Sequence, residues 1–220
     1  EPVRQAEVPP ATASPASVPT TARSLVEALR WHADRSPDRV HIHLRMDDGG
    51  EIAIRYGELL SAATRMSAAL SALGVARGDR VALMLRTERA FFEAFFATLI
   101  AGAVPVPLYP PVRASDLLAY TRRQQGILRN AEARVLLTFA EAERLAGLMR
   151  APVPSLVTIT TAERLSGGPD PAALPVVAPS DAALIQYTSG STGDPKGVLL
   201  SHANLLANIR GIGDALDLQA

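Results

Sequence analysis

The residues from Gln186 to Val198 read Gln-Tyr-Thr-Ser-Gly-Ser-Thr-Gly-Asp-Pro-Lys-Gly-Val, and they concentrate the chemistry of the chain. Glycines let successive backbone N–H groups converge on one point and remove side chains that would block a ligand. The hydroxyls of Thr188, Ser189, Ser191 and Thr192 can add donors, and Lys196 adds a compact positive charge. Charge-assisted hydrogen bonds of this kind are each worth about 1.5–3 kcal/mol. Together these groups make an anion cradle suited to a polyphosphate. Of the 22 basic residues 21 are Arg, and the single Lys falls inside this loop. A guanidinium fork and a flexible ammonium are not interchangeable at such a site. The spacing differs from the nucleotide loop G-x-x-x-x-G-K-[ST], because Pro195 precedes the lysine and Gly197 follows it. An ordinary P-loop kinase or ATPase is therefore disfavoured. Taken alone, a run of glycine and hydroxyl residues also suits a plain surface loop.

The other candidates carry less chemistry. His41 and His43 alternate on one short segment and read as structural or solvated. Phe91, Phe92, Phe95 and Phe96 recur at helical spacing, which predicts ordinary core and not a lipid pocket. Tyr109 reads as the end of a strand, and Arg122 and Arg123 as a solvated helix face. With no cysteine there is no disulfide scaffold, thiolate metal site or cysteine nucleophile. Four histidines leave little for an imidazole cluster. Twenty-two acidic residues balance the 22 basic ones, so no bulk field draws nucleic acid or anionic lipid. The 220-residue chain, 48% hydrophobic and 20% charged, is that of an ordinary globular protein.

The elements around the loop follow from hydrophobic period and punctuation. Residues Glu1 to Ala22 hold five prolines and no periodicity, and read as a disordered tail or linker without a signal-peptide pattern. The 19 uncharged residues from Ala94 to Val112 cannot span a membrane as one helix, because four prolines fill their second half. From Arg23 onward helix and strand alternate. A helix carrying Leu25, Leu29 and His32 stops at Ser36-Pro37. Val40–Met46 and Glu51–Arg55 form a hairpin about Asp47-Asp48-Gly49-Gly50. A helical face of Leu59, Ala63, Met66, Leu70 and Leu73 closes at Gly74. Strand Arg80–Leu85, helix Glu88–Ala101 and strand Val104–Leu108 follow. Next come helix Ser115–Asn130, strand Arg134–Thr138, a helix over Ala140–Met149 and strand Leu156–Thr160. A Pro- and Gly-rich connection from Gly167 to Pro179 leads to strand Ala182–Thr188, the glycine loop, strand Gly197–Ser201 and a last helix carrying Leu205, Ile209, Ile212 and Leu216. Repeated strand–helix units predict an α/β fold with mostly parallel sheets covered by helices.

The string Tyr187 to Gly197, followed by Ser201-His202-Ala203-Asn204, resembles the phosphate-binding signature of the adenylate-forming superfamily of acyl-CoA synthetases, peptide-synthetase adenylation domains, luciferases and fatty acyl-AMP ligases. Ala103-Val104-Pro105-Val106-Pro107-Leu108-Tyr109-Pro110-Pro111 is similar to the corresponding strand and turn of the fatty acyl-AMP ligase branch. The resemblance covers about Ser24 to Ala220 and implies that residues 23–220 are the N-terminal portion of the large domain, with further chain beyond. It implies activation of a fatty acid by ATP, with Mg²⁺, to acyl-adenylate and pyrophosphate. Transfer to the phosphopantetheine thiol of an acyl carrier protein would follow, or to CoA in a CoA synthetase. A non-catalytic nucleotide- or acyl-binding module of the same fold is the alternative from another class. The expected phosphate contacts are Thr188, Ser189, Gly190, Ser191, Thr192, Gly193, Lys196 and Gly197. His202 would border the acyl or thiol path, or else cap and pack its helix. The family's catalytic lysine lies in a C-terminal domain absent from these residues. The stretch alone is therefore expected to be inactive and to expose apolar surface, and the expected location is cytoplasmic.

Overall fold

The computed structural model describes residues 18–46, 49–111, 117–169, 175–188 and 196–217. Helix α1 (Leu25–Arg35) is capped by Ser24, whose hydroxyl accepts from the Glu27 amide. Strands β1 (Val40–Arg45) and β2 (Glu51–Arg55) form the expected antiparallel hairpin. Helix α2 (Tyr56–Ala72) ends before Gly74, whose φ of +81° is a left-handed cap conformation that favours glycine.

A parallel sheet then forms from β3 (Arg80–Leu83), β4 (Val104–Pro107), β5 (Ala133–Thr138) and β6 (Thr158–Thr161), in the order β4-β3-β5-β6. Helix α3 (Arg89–Ile100) connects β3 to β4, and α4 (Leu117–Asn130) leads into β5. A short 3-10 turn and α5 (Glu143–Met149) lead from β5 towards β6, and α6 (Ala162–Leu165) follows directly. β4 holds two prolines because it is an edge strand. Its ladder bonds run from the amides of Val104 and Leu108 to the carbonyls of Asp79 and Leu83. Pro105 and Pro107 alternate with these positions, so their missing N–H groups face the edge.

Period two divides the sheet between two cores. Val81, Leu83, Val135 and Leu137 face one side with Met66 and Leu70 of α2 and Leu99 of α3. Ala82, Met84 and Leu136 face the other with Leu128 of α4 and Ala146 and Met149 of α5. Both faces are covered, as continuous apolar strands require. The phenylalanines of α3 are half-buried and pack against the first core and the hairpin core.

β7 (Ala182–Thr188) and β8 (Lys196–Ser201) form a separate antiparallel pair, and α7 (His202–Ala215) completes the described chain. α7 starts in a capping box: Ser201 Oγ accepts from the Asn204 amide, and Asn204 Oδ1 accepts from the Ser201 amide. Val198 and Leu199 of β8, Ile209 and Ile212 of α7, and Leu216 are exposed.

Candidate functional site

Thr188 and Lys196 are directly opposed in the β7–β8 ladder. Opposed residues of an antiparallel pair share a face, so the hydroxyl and the ammonium stand side by side at the mouth of the hairpin. Both are exposed, and among the described residues Lys196 has no ion-pair partner. A free donor hydroxyl beside an unneutralised ammonium fits an oxyanion. The other expected contacts, Ser189, Gly190, Ser191, Thr192 and Gly193, lie outside the described residues.

Gly197 has a packing reason to be glycine. It is paired with Tyr187, and a Cβ there would stand 2.9 Å from Tyr187 Cζ and 3.1 Å from Ile185 Cγ2. The Tyr187 ring lies against the bare backbone, and its hydroxyl donates to Asn130 Oδ1 at the end of α4. Burial pushes the Tyr187 phenol above its usual range, which keeps it a neutral donor. Asn130 belongs to no motif, and sequence reasoning did not find it.

The other end of the hairpin is anchored by charge. Arg77 donates from Nη2 to both carboxylate oxygens of Asp181, each at 2.7 Å. Asp181 also accepts from the Ala178 amide, and the Arg77 bond holds its carboxyl below the ordinary range. The Asp181 carbonyl accepts from the His202 amide at 3.1 Å. His202 is 1% exposed, and its Nδ1 accepts from the Leu25 amide at 3.2 Å. The neutral ring therefore carries its proton on Nε2. Burial pushes its pKa down, against the upward pull of Asp181 and Glu27. The imidazole thus joins α1 to α7.

His41 stacks on Tyr56 at 4.4 Å, with His32 on a ring contact to the same tyrosine at 4.5 Å, and His43 pairs with Glu51. Tyr109 is 82% exposed, and its carbonyl accepts from the Tyr120 hydroxyl at 2.6 Å. Arg122 and Arg123 are exposed on α4. Among the described residues no group of three or more His, Cys, Asp or Glu side chains could hold a metal. No helix among them is long and apolar enough to cross a membrane.

The AMP-binding family, described as AMP-binding enzyme, matches residues 29–219. A feruloyl-CoA synthase from Amycolatopsis sp. is 37% identical over 81% of this chain and 34% of its own length. The pyochelin synthetase PchF of Pseudomonas aeruginosa is 36% identical over 88% of this chain and 10% of its own. A solved structure from work on fatty acyl-adenylate ligases of E. coli and L. pneumophila superposes with a TM-score of 0.79 at 31% identity, covering 86% of this chain and 34% of that one. The L. pneumophila fatty acyl-adenylate ligase in complex with acyl adenylate and pyrophosphate superposes with a TM-score of 0.73 at 29% identity, over 90% of this chain and 34% of that one. The chain thus spans about a third or less of the length of these proteins.

Proposed function

The chain belongs to the AMP-binding enzyme family, and from that premise we propose that the protein of which it is part activates a fatty acid with ATP. A carboxylate oxygen attacks the α-phosphorus of ATP; the new O–P bond forms as the bond to pyrophosphate breaks, leaving acyl-adenylate. The phosphopantetheine thiol of an acyl carrier protein then attacks the acyl carbon, and AMP leaves as the C–S bond forms. The observation that carries this reading is the register that sets Thr188 beside Lys196 at the hairpin mouth. Thr188, Ser189, Gly190, Ser191, Thr192, Gly193, Lys196 and Gly197 form the contact set for the β- and γ-phosphates. There they hold pyrophosphate in line and offset the charge that grows on it. Mg²⁺ would accompany ATP and offset the charge on its phosphates. His202, whose Nδ1 is taken by the Leu25 amide, has only Nε2 to offer the acyl or thiol path.

The preference for a fatty acid and a carrier protein is supported by the Tyr109-Pro110-Pro111 turn and by the fatty acyl-adenylate ligase structures. An acyl-CoA synthetase is the second reading, favoured by the identity to the feruloyl-CoA synthase. ATP–pyrophosphate exchange by the full-length protein over a series of fatty acids tests the first step. Thioester formation with holo carrier protein against CoA tests the second, and efficient use of CoA would defeat the carrier-protein assignment. Lys196→Ala is expected to lower kcat/KM for ATP about ten- to a hundredfold. An unchanged value at limiting ATP means that the lysine does not touch the phosphates.

A further inference from the structure

The bond from the Tyr187 hydroxyl to Asn130 Oδ1 is 2.5 Å long and bridges 57 residues of sequence. Each of its ends is held differently. Asn130 is the last residue of α4, and the chain turns at once through Glu132, which has a left-handed φ of +48°. That is an uncommon conformation for a side chain other than glycine, and the Arg80 guanidinium holds it. Arg80 donates from Nε to the Ala131 carbonyl at 2.7 Å, and from Nη2 to the Glu132 carbonyl at 3.1 Å and its carboxylate at 2.6 Å. Arg80 opens β3, the strand between β4 and β5, so Asn130 stands on a perch tied to the middle of the parallel sheet.

Tyr187 stands on β7, in the two-stranded pair outside the parallel sheet. Its ladder partner Gly197 has no side chain, so the ring packs on the bare β8 backbone and against the second core, and its tip is held by the hydrogen bond to Asn130. Thr188 follows Tyr187 and Lys196 precedes Gly197, so the ring pinned by Asn130 lies one residue from each of the paired groups at the hairpin mouth.

We propose that Asn130 is a positioning residue for the polyphosphate site: through Tyr187 it sets where Thr188 and Lys196 stand relative to the sheet. The inference rests on reading that hairpin as the ATP phosphate site. The bond lies at an exposed rim, where one hydrogen bond adds little to global stability, so its consequence falls on geometry.

The test uses the full-length protein in ATP–pyrophosphate exchange, with Tyr187→Phe, Asn130→Ala and the double variant. Each single change is expected to raise the KM for ATP about three- to tenfold, the range a lost hydrogen bond spans. The kcat at saturating ATP and the KM for the fatty acid should stay within about twofold, and the double variant should be no worse than the weaker single. An unchanged KM for ATP, an equal rise in the KM for the acid, or single effects that multiply in the double would each overturn the inference. Amide hydrogen exchange supplies a readout that does not need activity. Faster exchange confined to residues 184–188 and 196–200 in Tyr187→Phe supports the positioning role, and unchanged exchange there overturns it. Absence of pyrophosphate exchange by the wild type would sink the functional reading alone, and amide exchange then decides this one.

Discussion

Adding one methyl group at Gly197 probes the geometry on which the site depends. No unusual φ is involved, so the effect of Gly197→Ala is steric. The new Cβ would stand 2.9 Å from Tyr187 Cζ, 3.1 Å from Ile185 Cγ2 and 3.2 Å from Tyr187 Cε1. Carbon atoms pack comfortably at about 3.5–4.0 Å, so three contacts are too short by about 0.3–1.1 Å. The ring cannot swing aside freely, because its hydroxyl is bonded to Asn130 and its body packs with Ile185 on the second core. Overpacking of this kind costs about 1–3 kcal/mol, while replacing glycine restricts the unfolded chain and returns about 0.4–1 kcal/mol. Midpoint values give a net loss of about 1.3 kcal/mol, or a fall in Tm of about 3–5 °C for a chain of this size. Thermal unfolding of Gly197→Ala, Tyr187→Ala and the double variant measures it. Removing the ring relieves two of the three contacts, so Tyr187→Ala should cost less in the alanine background than in the wild type. A Tm equal to wild type for Gly197→Ala, or strictly additive losses, refutes the argument from close approach.

Burial holds the imidazoles of His32, His41 and His202 below their ordinary pKa, with Arg39 adding to the effect at His32 and His32 at His41. The unfolded chain then binds more protons than the folded one below about pH 6.5, so stability is full above that pH and falls as pH drops through the folded values. Tm should decline from pH 7 to pH 5, less steeply in His202→Gln, and an equal slope in the variant would contradict the buried-imidazole account. Ser201→Ala removes the hydroxyl of the α7 capping box and should cost about 1 kcal/mol, or about 2–4 °C in Tm. Asn204→Ala in the Ser201→Ala background should add little, since the two side chains cap reciprocally; full additivity would show that they act apart.

What could be read in the sequence was whatever local chemistry enforces. Gly74 predicted the end of α2 because a left-handed cap is nearly a glycine property, and the run Asp47 to Gly50 predicted the β1–β2 reversal. The strand Val104–Pro107 was legible despite two prolines, but its place at the sheet edge was not. Only the ladder shows that both missing amides face away from β3. α6 went unread because four residues are too few for a helical period to declare itself. The same divide runs through the site. Lys196 and Thr188 announced themselves by type, since a lone ammonium among guanidinium groups and a hydroxyl beside glycines are local facts. Their pairing is a fact of register, and Asn130 and Asp181 enter the account only through contacts across 57 and 104 residues. Gly197 shows how the two kinds of information combine. A phosphate-loop reading explains it by the room a ligand needs, and the structure adds the room that Tyr187 needs. On the proposed function both demands bear on one Cβ; the packing demand alone already constrains the position that looks like the most permissive residue of the loop.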